Sequence, residues 1–254
     1  MKFKLTTLVL TLFSLGLMSF LSGERKPLTV YLIGDSTISI KETRYYPETG
    51  WGMPFVYFFD STVTVSNHAK NGRSTRTFIE ENRWQPISAA LKAGDYVFIQ
   101  FGHNDEVSTK RSFTPQTDYR ANLERFISET RKKKANPVLL TPVARRKFDA
   151  ADKVEDTHAV YSGIVRSVAQ QQKVPLIDLD RKSQALLQQY GPETSKKLFN
   201  HLRPEEHPNY PQGKMDDTHF NELGAREMAQ IVLAEIKALN LALAGRIVQP
   251  PVKP

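Results

Sequence analysis

Four short segments carry side chains able to do acyl chemistry. Gly34-Asp35-Ser36-Thr37 sets a serine directly after an apolar run, and Asn71-Gly72-Arg73-Ser74 sets a glycine in a polar loop after a second run. Gly102-His103-Asn104-Asp105 follows a third, and Asp216-Asp217-Thr218-His219 precedes the last long helical stretch. A serine hydroxyl is a useful nucleophile only beside a base that takes its proton. His219 is the candidate base. Asp216 lies three residues before it, close enough for its carboxylate to reach the imidazole Nδ1–H and fix the tautomer. Asp217 is the rival for that orienting role, and the spacing favours Asp216. A tetrahedral oxyanion needs preorganised donors. The candidates are the Ser36 N–H, the Gly72 N–H, which has no side chain beside it, and the Asn104 amide. Each residue alone has an ordinary structural reading: a helix N-cap for Ser36, a turn for Gly72, a loop support for Asn104. The joint presence of complementary groups after successive apolar runs carries the chemical reading.

Other segments are less specific. His103 reads as a structural neighbour of Asn104. His201 and His207 flank Glu205 and Glu206 in a Pro-rich loop whose spacing fits no usual closed ligand set, so no metal site is expected. Arg145 and Arg146 follow Pro142 at the end of a predicted strand. They are candidates to grip a substrate carboxylate in a bidentate fork, or else are solvated loop arginines. With no cysteine in the chain, thiolate catalysis, disulfides, cysteine zinc sites and lipid attachment through cysteine are excluded. Neither a Gly-x-Ser-x-Gly elbow nor a Gly-rich phosphate loop is present.

The elements that must position these groups alternate along the chain. Strands are expected at Leu28 to Ile33, Val63 to Ser66, Tyr96 to Phe101, Pro137 to Leu140 and Val174 to Leu179. Helices are expected at Trp51 to Phe59, Ser74 to Leu91 with a break near Pro86, Thr117 to Lys134, His158 to Gln172, Arg181 to Tyr190 and Asn221 to Leu241. The cluster Arg131 to Lys134 reads as a solvated helix end rather than a nucleic-acid patch. Strands alternating with helices imply an α/β fold: a five-stranded parallel sheet inside a three-layer α/β/α sandwich. Ligands of such sheets bind beyond the carboxyl ends of the strands, where the four segments fall.

The chain has 254 residues, 40% of them hydrophobic and 24% charged, an ordinary composition for one globular domain. Residues 1–23 have a positive start at Lys2 and Lys4, an apolar core and small residues at Ser22 and Gly23, the pattern of a signal peptide. An uncleaved membrane anchor is the alternative. The expected organisation is a leader at 1–23, one domain at 24–245 and a tail at 246–254 ending in prolines. Losing Lys2 and Lys4 with the leader lowers the formal charge from +8 to +6. A basic exported protein suits acidic polysaccharide, anionic lipid or cell wall as a partner, and charge alone does not choose among them.

The four segments, in order, resemble the four blocks of the SGNH (GDSL-type) hydrolases, a flavodoxin-like fold. More closely, the chain is similar to the rhamnogalacturonan acetylesterase family. Gly34 to Thr37, Gly50-Trp51-Gly52, Asn71 to Ser74, Phe98 to Asp105 and Thr218-His219-Phe220 carry the likeness, which runs from Leu28 to about Leu241. Asp217 departs from the glycine or asparagine common in the broader family. The resemblance implies Ser36 as nucleophile, His219 as base, Asp216 as its orienter, and Ser36 N–H, Gly72 N–H and Asn104 as oxyanion donors, with no cofactor. Trp51, Arg145 and Arg146 are then the candidate substrate-binding residues. The expectation is an exported esterase that removes acetyl groups from an acidic polysaccharide or oligosaccharide and has no nucleic-acid partner. A lipase or thioesterase on the same scaffold and a non-catalytic carbohydrate-binding module are the alternatives.

Overall fold

A computed structural model describes residues 25–248, so the expected leader and the Pro-rich end 249–254 lie outside the described residues. Five strands pair in parallel: β1 (Leu28–Gly34), β2 (Val63–Asn67), β3 (Tyr96–Gln100), β4 (Asn136–Leu140) and β5 (Leu176–Ile177). Their order is β2-β1-β3-β4-β5. The chain adds β2 on one side of β1 and β3 on the other. The switch point therefore lies between β1 and β3, and a crevice opens beyond their carboxyl ends.

The strands alternate in side-chain direction, which divides the core between the two faces of the sheet. Val30, Leu32, Phe98, Val138 and Leu140 point to one face, where Trp51, Phe55, Met228, Val232 and Ile236 cover them. Ile33, Val97, Ile99 and Leu139 point to the other, where Phe78, Trp84, Leu123, Phe126 and Val165 cover them. The covering helices are Gly52–Phe55, Leu179–Thr194 and Glu222–Ala238 on the first face, and Thr75–Glu80, Trp84–Ala90, Gln116–Lys132 and Ala159–Gln172 on the second. This is the three-layer α/β/α sandwich the alternation implies. Among the described residues, no helix is long and apolar enough to cross a membrane.

Several boundaries differ from the sequence expectation, each for a local reason. The break in Ser74 to Leu91 falls at Glu81–Arg83, where Asn82 has a φ of 54°, and not at Pro86. Pro86 sits in the first turn of Trp84–Ala90, where a missing N–H costs nothing. Strand β5 is two residues long because Asp178 caps the next helix, accepting from the Arg181 N–H, and so ends the strand. The tail begins later than 246. The Asp60 N–H donates to the Arg246 carbonyl at 2.9 Å, Ile247 bridges to Phe59, and the Val248 N–H donates to the Phe58 carbonyl at 2.9 Å. Residues 246–248 are therefore part of the domain.

Candidate active site

Ser36 lies in a turn after β1 and is no helix cap. Asp35 builds that turn: its Oδ1 accepts from the Thr37 N–H at 3.0 Å and the Thr37 hydroxyl at 2.8 Å. The loop after β2 brings Gly72, whose φ of +76° suits a residue without a Cβ. The loop after β3 brings Asn104, and Asp105 ties it to the loop carrying Gly72. Asp105 Oδ1 accepts from the Thr75 N–H at 2.9 Å and the Thr75 hydroxyl at 2.6 Å. Burial pushes the Asp105 pKa up to about 7. His219 arrives just before the helix Glu222–Ala238, capped by Asn221, and the Asn200 N–H holds its carbonyl at 2.9 Å.

These segments meet at one point. The Ser36 Oγ lies 2.9 Å from His219 Nε2, and His219 Nδ1 lies 2.9 Å from Asp216 Oδ2. Asp216 Oδ1 also accepts from the N–H groups of Thr218 and His219, both at 2.9 Å. Burial would raise the Asp216 pKa, but the hydrogen bonds and charge of His219 outweigh it and hold the carboxyl well below the usual range. An ionised Asp216 only accepts, so Nδ1 carries the imidazole proton and Nε2 is left to accept from the Ser36 hydroxyl. That polarity lets a hydroxyl proton pass to the imidazole while Asp216 balances the charge that forms. Asp217 faces the other way, towards Arg146 Nη1 at 2.7 Å and His201 Nε2 at 2.8 Å.

Three candidate donors lie in the loops after β1, β2 and β3. Among the described residues, neither the Ser36 N–H nor the Gly72 N–H has a protein acceptor. The Asn104 amide gives one hydrogen to the Arg73 carbonyl at 3.2 Å and keeps the other.

The expected substrate contacts fare less well. Trp51 is wholly buried, with its indole N–H donating to Gln100 Oε1 at 2.7 Å. Gln100 in turn donates to the Thr37 hydroxyl at 2.6 Å, so Trp51 braces the Ser36 turn from the core and offers no face to a sugar. Arg146 is also corrected. Its guanidinium is spent on Asp217, Ser195 Oγ and the Pro192 carbonyl, and it lies over the Phe148 ring. The Arg145 side chain is 28% exposed; it donates to the Thr218 hydroxyl at 2.7 Å, one residue from His219, and lies 3.4 Å from Glu106 Oε1. His201 bonds Asp217, and His207 Nδ1 accepts from the Asn209 N–H at 3.1 Å, so the two join no common ligand set. Among the described residues, Glu48, Asp216 and His219 form the group compact enough to hold a cation. The ammonium groups of Lys41 and Lys214 already lie against its carboxylates.

Lys41, Glu48 and Lys214 are site residues that the sequence did not single out. Lys41 and Glu48 form an ion pair with side chains 0% and 4% exposed. Glu48 Oε1 lies 3.9 Å from His219 Nε2, and Lys214 Nζ lies 3.2 Å from Asp216 Oδ2 and 3.7 Å from Glu48 Oε2. Their charges in loop sequence carry no periodic signal.

Comparison with known proteins gives the family. Residues 32–227 match the model of the GDSL-like lipase/acylhydrolase family. The chain is 43% identical to the rhamnogalacturonan acetylesterase RhgT of Bacillus subtilis, over 88% of this chain and 96% of that one. It is 36% identical to the probable rhamnogalacturonan acetylesterase YesY of the same organism, over 87% and 97%. Among solved structures it resembles protein YxiM of Bacillus subtilis, with a TM-score of 0.73 and 26% identity over 85% of this chain and 58% of that one. An acetyl-xylooligosaccharide esterase from Geobacillus shares the fold, with a TM-score of 0.62 and 20% identity over 83% and 94%. The chain belongs to the GDSL-like lipase/acylhydrolase family and is an ester hydrolase.

Proposed function

We propose that this member of the GDSL-like lipase/acylhydrolase family removes acetyl groups from an acetylated acidic polysaccharide of the rhamnogalacturonan type. The observation that carries the reading is the unbroken line Asp216–His219–Ser36, together with the Ser36 and Gly72 N–H groups, which have no acceptor among the described residues. The 43% identity to an enzyme named for that substrate supports the choice of polymer.

The chemistry is acyl transfer in two halves. The Ser36 Oγ attacks the acetyl carbonyl carbon as its proton passes to His219 Nε2. The negative charge that develops on the carbonyl oxygen is met by Ser36 N–H, Gly72 N–H and the Asn104 amide. Collapse breaks the bond to the sugar oxygen, which leaves with the proton from His219, and the acetyl group stays on Ser36. Water then gives a proton to His219 and attacks the acetyl carbon. Acetate departs and Ser36 regains its hydrogen. Asp216 remains ionised throughout and stabilises the imidazolium in each half.

We assign Arg145 the attraction of a uronate carboxylate, in exchange for its 3.4 Å contact with Glu106, because Arg146 is held closer, at 2.7 Å, by Asp217. A groove of about 750 Å³ runs past Ile40, Tyr46, Pro47, Thr49, Met53 and Tyr57. Neither Ser36 nor His219 lines it, but Ile40 and Thr49 adjoin Lys41 and Glu48 in the chain. Its exposed tyrosines suit the faces of sugar rings beyond the one deacetylated. Its exposed aliphatic residues, Ile40 and Val56, favour a second reading, a longer acyl chain. Export through the basic and apolar leader at 1–23 is part of the proposal, because the substrate is a polymer found outside cells.

Acetate release across acetylated pectin, acetylated xylan and simple esters of rising acyl length tests the reading. The expected order is pectin above xylan, with the rate on simple esters falling beyond acetate. Faster turnover of long acyl esters than of any acetylated polymer would overturn it in favour of the lipase reading.

A further inference from the structure

Lys41 is buried among backbone and loop groups rather than beside solvent, and its ammonium donates to two acceptors and pairs with a carboxylate. These are the Ser36 carbonyl, Asn71 Oδ1 at 3.0 Å and the Glu48 carboxylate. The first two belong to different loops. Ser36 is in the turn after β1, and Asn71 directly precedes Gly72 in the loop after β2. The Ser39 hydroxyl adds a second tie, donating to Asn71 Oδ1. The peptide unit that joins Ser36 to Thr37 is thus pinned at both ends. Lys41 holds its carbonyl, and Asp35 Oδ1 holds its N–H.

We propose that Lys41 is a positioning residue, whose ammonium clamps the Ser36 carbonyl to the Asn71 side chain and so holds the Ser36 and Gly72 N–H groups in one oxyanion-binding geometry, with Glu48 as the counter-ion. The inference rests on the proposed role of Ser36. A buried ion pair is a poor source of stability, since apolar groups of similar volume often replace one without loss. Its value here is geometric: a loop shift of about 1 Å at a reacting centre can cost about 100-fold in rate.

The charge on Lys41 depends on what faces it. Burial lowers its pKa, while Glu48, Asp35 and Asp216 raise it. Lys214 and His219 face Glu48 and Asp216 from the other side. Removing the Glu48 charge therefore lowers the Lys41 pKa further, and Lys41 then loses its proton as pH rises.

Steady-state hydrolysis of 4-nitrophenyl acetate by the full chain, read against pH with thermal unfolding alongside, tests the clamp in three variants. Lys41→Met is expected to lower kcat about 10–100-fold with KM changed less than about threefold. Glu48→Gln is expected to keep a higher rate at low pH and to fall towards the Lys41→Met level as pH rises. The double variant Lys41→Met/Glu48→Gln removes both charges. It is expected to unfold at or above the wild-type temperature, yet to stay slow and to lack the alkaline loss of Glu48→Gln. It also keeps the test open if Lys41→Met alone does not fold. A folded double variant with wild-type kcat, or a Glu48→Gln profile parallel to wild type, would overturn the clamp while leaving Ser36 as nucleophile. A wild-type protein inert towards the ester would remove the Ser36 reading, and the clamp with it.

Discussion

Around Lys41 the protein buries charge and keeps it, whereas around His103 it buries ionisable groups and packs them. Lys41, Glu48, Lys214 and Asp216 alternate in sign in the first region, each against a partner of opposite charge. In the second, His103 and His158 meet edge to face with ring centroids 4.3 Å apart. Both ring nitrogens of His103 lack a partner among the described residues, and burial drives its pKa well below the usual histidine value. Glu106 takes the His158 Nδ1 at 2.9 Å and Arg145 at 3.4 Å, so the charges there sit at the rim. A buried group stays charged only where an opposite charge touches it; otherwise it gives up its charge. Lys41 and Glu48 touch each other and Asp216 touches Lys214, whereas burial raises the pKa of Asp35, directly before Ser36.

The largest effect that sharpens this contrast lies between two adjacent residues. Asp216→Asn is expected to lower kcat by about 10³–10⁴-fold, because an amide disturbs the tautomer that leaves His219 Nε2 free to accept. Asp217→Asn removes a half-exposed carboxylate whose ion-pair partners among the described residues are Arg146 and His201. It is expected to change kcat less than about threefold, because this carboxylate does not touch His219, and a loss confined to the Arg146 pair would appear in thermal unfolding instead. Steady-state kinetics of the two purified variants checks the pair. An Asp217 variant as slow as the Asp216 variant would break the contrast.

The smallest expected effect is in the other region. His103→Leu keeps a similar volume in a buried place and removes an imidazole that is already neutral at working pH. Its pH–rate profile is expected to overlay the wild type between about pH 5 and 8, the range in which an unperturbed histidine would titrate. Loss of the acid limb in this variant would show that the histidine region carries charge after all.

Much of this arrangement was legible in the sequence, for reasons that differ by residue. Ser36, Gly72 and Asn104 each follow a strand, and a parallel sheet brings strand ends to one edge. Asp216 and His219 were readable from spacing just before a helix. Strand and helix positions followed from apolar periodicity, because both faces of the sheet are covered. Lys41 and Glu48 were not readable, since a lysine and a glutamate in polar loops look solvated until the packing of two loops buries them. Trp51 misled for the opposite reason. Its neighbour Gly50 packs so closely that an added Cβ would lie 2.2 Å from the Ser39 carbonyl oxygen. That approach draws the segment inward and puts the indole in the core. Arg146 misled because sequence places it at the sheet edge but does not show that Asp217, Ser195 and Pro192 consume its donors.

On the proposed mechanism Ser36 carries the acyl group, activated through the line from Asp216 and His219. Rapid acid quench of the wild-type protein during turnover of an activated acetate ester, followed by peptide mass spectrometry, tests it most directly. An added acetyl group is expected on the peptide containing Ser36, one that disappears as the ester is exhausted and never forms in Ser36→Ala. An acetyl group on another residue, or undiminished ester hydrolysis by Ser36→Ala, would contradict it.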